Sequence, residues 1–133
     1  MKYMLMMNAM STGSDYAGAS GWQKKDVEAH ITFIKSLTKS LAESGALVST
    51  EGLDLPQRAK LVRAAVNGSP ITDGVFPESK EFLAGYWIVS VDAPEQAYAI
   101  AARASAAPGP GGKPLNMPIE VREVMSGPPP EIL

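Results

Sequence analysis

Cysteine is absent from the sequence, and histidine occurs once, as His30. The lack of cysteine excludes a thiolate nucleophile, a disulfide framework and any cysteine-ligated zinc or iron–sulfur site. A single histidine also excludes an all-histidine metal site within one chain. We therefore expect no metal and no cofactor.

Long apolar runs and basic runs are lacking as well. No stretch reaches the roughly 18 consecutive apolar residues that a membrane-spanning helix needs. The 12 Lys and Arg are balanced by 14 Asp and Glu, for a net charge of -2, and no basic cluster could neutralise a row of phosphates. We expect neither a membrane nor a nucleic acid as partner. Without a readable export signal, the acidic balance favours a cytoplasmic protein.

The chain has 133 residues, of which 45% are hydrophobic and 20% charged. This length and composition are typical of one globular domain with a single core. We predict one domain over residues 1–125, followed by a proline-rich tail over residues 126–133.

Apolar residues recur at helical spacing in two segments. The first segment has Val27, Ile31, Ile34, Leu37 and Leu41, with a capping box at Ser20 and Gln23 and a terminal Gly45. The second opens with a capping box at Asp92 and Glu95, and its common face has Ala97, Ile100, Ala101 and Ala104.

Strands are predicted at residues 2–8, 46–53, 58–66, 85–91 and 119–124. A type I′ turn at Asn67-Gly68 joins the third strand to a short edge piece at residues 69–72. Residues 73–84 are interpreted as a turn with one helical turn. Residues 9–21 and 107–117 are predicted to be long loops.

This order predicts an α+β protein with a split βαβ, or ferredoxin-like, antiparallel sheet and both helices on one face. In the strand at residues 85–91, Trp87 and Val89 alternate with Tyr86 and Ile88, so both faces of the sheet favour burial. Because two helices cover one face only, we expect a homodimer through the open sheet face, with a pocket for a small molecule near the interface.

The segment DGVFPESKE at residues 73–81, followed by Gly85-Tyr86, resembles the signature of the DGPF-domain branch of the YCII-related proteins. The start MKYMLMM, the segment from Ala46 to Leu53 and the closing IEVREV are similar to the family's pattern in the same order. The likeness extends from Met1 to about Val124. Val75 stands where the family has its name-giving proline, and the two long loops are less typical of it.

The resemblance implies a ferredoxin-like subunit of a dimeric α+β barrel, related to small acid/base enzymes of the muconolactone-isomerase type. It also implies that His30, in a stretch similar to the family's, pairs with an aspartate, here Asp73. Histidine exchanges protons near neutral pH, as a general base must. The alternative for His30 is a hydrogen-bonded helix residue, and the alternative for Asp73 is a turn residue that accepts backbone N–H bonds.

Phe76 and Tyr86 are the candidate substrate-binding residues, and the alternative for both is the core. Trp22 is either a lid or a hydrophobic staple of the first helix, and Glu51 is a further carboxylate near a strand end.

Two classes of function follow. One is a cofactor-independent acid/base enzyme of isomerase or lyase type acting on a small organic substrate. The other is a non-catalytic small-molecule-binding or regulatory accessory module, for example one associated with an alternative sigma factor, as some relatives are. A cavity shared by His30 and Asp73 would distinguish the two.

Overall fold

The structure is a computed structural model that describes residues 1–10, 21–72 and 81–128. Its strands are β1 (Lys2–Met10), β2 (Leu47–Gly52), β3 (Val62–Ala64), β4 (Pro70–Thr72), β5 (Glu81–Ser90) and β6 (Ile119–Glu123). Its helices are α1 (Lys24–Glu43) and α2 (Pro94–Ser105), with short 3₁₀ turns at Pro56–Arg58 and Pro110–Gly112.

Four strands form an antiparallel sheet in the order β2-β5-β1-β6. Strand β5 lies between β1 and β2, so the β1-α1-β2 unit is split as predicted. The buried residues of both helices join one core with Tyr3, Leu5 and Val89, which lie on the same face of the sheet. The predicted ferredoxin-like α+β fold is confirmed, and its sheet is open rather than closed.

Trp87 is the largest fully buried side chain of the core. Its indole Nε1 donates a hydrogen bond to Thr38 Oγ1 at 3.0 Å. The bond joins α1 to the middle of β5 and satisfies a polar group that burial would otherwise leave without a partner.

The ends of α1 follow local backbone geometry. Gly21 has a φ of +95°, which a helix cannot contain, so α1 begins only at Lys24 with Gln23 as its N-cap residue. The predicted Ser20–Gln23 capping box is therefore wrong. At the other end Gly45 has a φ of +81°. The Gly45 N–H donates to the Ala42 carbonyl and the Ala46 N–H donates to the Leu41 carbonyl, which is a Schellman motif. The predicted helix end is confirmed.

The predicted capping box at Asp92 and Glu95 is wrong, and only half of such a box forms, one residue later. Ala93 is the N-cap residue of α2, and the Gln96 side chain accepts the N–H groups of Asp92 and Ala93 at 2.7 and 3.2 Å. Glutamine replaces the expected Glu95 because the helix begins after Ala93 rather than after Asp92.

The predicted third strand is wrong over most of its length. Within residues 58–66 only Val62–Ala64 is a strand, and it pairs with β4 apart from the main sheet. All six residues of this hairpin are exposed, so no core stabilises a longer strand. The turn is not type I′, because Gly68 has a positive φ, +87°, and Asn67 does not; a three-residue loop closes the hairpin.

Strand β5 begins at Glu81, four residues before the predicted start at Gly85. The predicted helical turn at residues 73–84 is contradicted at 81–84, and residues 73–80 lie outside the described part of the chain. The segment 107–117 is a loop with one 3₁₀ turn, as predicted in outline. Neither helix in the described ranges is long and apolar enough to cross a membrane.

Candidate functional site

A cavity of about 360 Å³ lies between the inner face of α1 and the ends of β1, β2 and β5. Its apolar lining includes Met7, Ile34, Phe82, Trp87 and Met117. Its volume falls at the lower end of the range for small-molecule sites. A small organic molecule is the ligand that this space can hold.

His30 lines this cavity from the buried face of α1, where it is 5% exposed. Its Nδ1 atom lies 3.0 Å from the carbonyl oxygen of Pro108. Because a carbonyl can only accept, Nδ1 carries the hydrogen, and in the neutral ring Nε2 has a free lone pair. The Trp22 ring meets the imidazole edge to face, with 5.6 Å between ring centroids.

The loop that follows α2 positions Pro108 through backbone bonds. Leu115 N–H donates to Ala107 at 2.9 Å, and Gly109 N–H donates to Lys113 at 2.7 Å. Ser105 Oγ donates to the Met117 carbonyl at 2.7 Å. The carbonyl that holds His30 thus belongs to a loop that is itself tied at both ends.

The second imidazole nitrogen, Nε2, is open to solvent. In the described part of the chain, every side-chain nitrogen or oxygen that is fully buried has a hydrogen-bond partner. Among these residues, His30 forms its side-chain hydrogen bond through Nδ1. Because Nε2 has no such bond, it is not fully buried, and solvent reaches it. The cavity that the ring lines is the space through which a ligand would meet Nε2.

The other candidate residues are placed unevenly. Asp73 and Phe76 lie outside the described residues, so their roles stay predictions. Tyr86 and Glu51 are both lining residues and pair with each other across β5 and β2. Strand alternation puts the side chains of this pair on the face opposite Trp87, while Thr50 Oγ1 on the Trp87 side donates to the Tyr86 carbonyl at 2.8 Å.

Three further residues of this region were missed by the sequence analysis. Pro108 supplies a backbone atom, which leaves no trace in side-chain patterns. Lys35 lines the cavity one helical turn after Ile31, which lines it too, and this i, i+4 spacing could have signalled that position. Asp26, one turn before His30, is 8% exposed, although its charge favours the surface; its place in the first turn of α1 suits the positive end of the helix dipole.

Metal binding has no support in residues 1–10, 21–72 and 81–128, where no three histidine or carboxylate side chains come together. Comparison with protein families then identifies the chain's relatives: the pattern of the YCII-related domain matches residues 1–110. The chain belongs to the YCII-related family. Comparison of this YCII-related protein with curated proteins gives no match.

Proposed function

We propose that this YCII-related protein is a cofactor-independent acid/base enzyme of isomerase or lyase type. The observation that carries the proposal is the free Nε2 of His30 on an apolar cavity, on a ring held by Pro108 through Nδ1. A general base needs its acceptor atom within about 2.6–3.2 Å of the proton donor in a bound substrate. A fixed imidazole with one free nitrogen meets this requirement without rearrangement.

In the proposed reaction, Nε2 takes a proton from an activated carbon of a small organic substrate. The proton returns to another carbon in an isomerisation, or stays on the base while a leaving group departs in an elimination. Asp73 stays in the proposal as the group that orients a substrate hydroxyl, because Pro108 occupies Nδ1 and the base uses Nε2. Phe76 stays in it as a substrate-binding residue, and Tyr86 stays in it only as a lining residue of the cavity, because its side chain lies on the sheet face away from His30.

A cytoplasmic location and a homodimer belong to the same proposal. The net charge of -2 supports the first. The half-buried apolar residues on the open face of the sheet support the second.

The alternative is a binding or regulatory module. One observation favours it: the described partner of the His30 ring is a carbonyl, whereas a catalytic dyad needs a carboxylate. A ligand in the same cavity would then exchange no proton with His30, and His30 would serve as a structural support for α1.

Proton abstraction can be measured before the substrate is known. We expect the full chain in D₂O to catalyse exchange of activated C–H protons in a panel of small ketones, lactones and enol acids, followed by proton NMR. His30→Asn should abolish the exchange and leave the fold intact, because an asparagine amide can donate to Pro108 in place of Nδ1.

His30→Phe is the control for a structural role. It removes both the base and the bond to the half-buried Pro108 carbonyl, so it should lower the free energy of unfolding by about 1–2 kcal/mol. Exchange that persists in His30→Asn would reject His30 as the base. The absence of exchange in the wild type, together with ligand binding in the cavity, would favour the binding module.

A further inference from the structure

The charge at the rim of the cavity indicates which molecules fit it. We propose that the ligand is a small flat carboxylate whose anionic end meets Lys35 and whose reactive O–H or C–H end meets His30. This inference rests on the proposed function, because it assigns a substrate class to the same cavity.

Lys35 supplies a positive charge at the cavity. It lines the cavity on α1 and is solvent-exposed, and none of the described carboxylates forms an ion pair with it. Glu51 also lines the cavity, but it is paired with Tyr86 on the sheet face away from the helices. The charge that a ligand meets between α1 and the sheet is therefore positive.

The distance between His30 and Lys35 sets the length of the ligand. His30 and Lys35 both line the cavity and are five residues apart on α1, which is about 7.5 Å along the helix axis and about 140° around it. A six-membered ring with substituents at opposite ends has a comparable length. Such a ring would lie against Phe82 and Trp87 and place one substituent near each group.

The groups near His30 and Lys35 determine which end of the ligand lies at each residue. Asp26 is buried one turn before His30, on the side away from Lys35. Asp26 and the positive end of the helix dipole offset each other there, whereas Lys35 attracts a carboxylate at the other end. The free lone pair of Nε2 calls for a hydrogen-bond donor, so the end at His30 is the hydroxyl or acidic C–H group.

The test uses two ligands that differ in charge but hardly in shape, 4-hydroxybenzoate and 4-hydroxybenzamide. We expect the full chain to bind the carboxylate more tightly in an NMR titration. Lys35→Met should weaken carboxylate binding about fivefold, as for a partly screened ion pair, and leave amide binding unchanged. Added salt should reduce the difference between the two ligands in the wild type.

Lys39→Met is the matched control, since Lys39 lies one turn further along α1 and pairs with Glu43 at the surface. It removes the same charge and should change neither affinity. Equal binding of the two ligands, an equal effect of both lysine substitutions, or binding of neither ligand would overturn the inference. These outcomes leave the exchange assay with His30→Asn untouched, so the proposed function stands or fails separately.

Discussion

His30 is oriented by a carbonyl that lies 78 residues further along the chain. Because the acceptor is a main-chain atom, replacing the Pro108 side chain does not remove it. The ring orientation therefore depends on the shape of the loop after α2, which its own backbone bonds maintain. An imidazole held in this way keeps the same nitrogen available to a ligand.

Tyr3 provides a prediction at the residue scale. Burial raises the pKa of its phenol above the ordinary 10.0, and the charges of Glu123 and Glu95 and the Tyr98 phenol add to the effect. Above pH 10 the unfolded chain loses the phenol proton before the folded chain does. The folded state then binds more protons, so stability is retained below pH 10 and falls as the pH rises above it.

We expect Tyr3→Phe to remove part of this alkaline loss, measured as urea midpoints between about pH 8 and pH 11. Tyr98→Phe is the control, because Tyr98 is 54% exposed and should keep most of the slope. A pH dependence identical to that of the wild type in Tyr3→Phe would show that this phenol is not the group concerned.

At the scale of the elements, β2 and β5 approach closely beside the cavity. Gly85 and Gly52 are opposite each other in the sheet. A Cβ atom on Gly85 would lie 2.9 Å from the Glu51 carbonyl oxygen, whereas one on Gly52 would meet nothing within 4 Å. The two glycines therefore differ in their tolerance of a methyl group, although they form one pair.

We predict that Gly85→Ala lowers the free energy of unfolding by about 1–3 kcal/mol, because β2 must move away from the added carbon. Gly52→Ala is the matched control and should change it by less than about 0.5 kcal/mol. Urea denaturation of the two variants measures the difference. Equal values would mean that the strands separate without cost at Gly85.

Local sequence patterns specified the main elements but not the peripheral hairpin. The helix end at Gly45 follows from a glycine that can adopt a positive φ, and the alternation around Trp87 follows from burial of one sheet face. The hairpin of β3 and β4 has no such burial. Its apolar residues resemble a strand in sequence, but without a core the strand is shorter than the pattern indicates.

At the scale of the whole molecule, the order of the elements was predictable because few topologies accommodate it. The inward position of His30 was also predictable from its spacing to Ile34. The cavity was not, because Met7, Phe82 and Met117 come from distant segments that only folding brings together. The partner of Nδ1 could not be predicted either, since every residue carries a carbonyl.

The open face of the sheet carries the last prediction, a homodimer. Met4 and Met6 of β1 and Tyr86 and Ile88 of β5 are half-buried on this face, which neither helix covers. Arg122 and Glu120 of β6 are opposite Met4 and Met6, so an apolar centre has charged groups at one side. Such a surface is suited to packing against a second copy, with about 800 Å² buried on each partner.

We expect sedimentation at micromolar concentration to give twice the chain mass of 14.1 kDa. Ile88→Lys should shift the protein to the monomer, because it puts a charge at the centre of the apolar face, and packing against a second copy would remove that charge from water. Val66→Lys is the control, since Val66 is fully exposed at the hairpin tip and its replacement should leave the mass unchanged. If the wild type sediments at the mass of one chain, the open face is not a self-association surface at this concentration. Dissociation by both lysine variants alike would place the contact elsewhere.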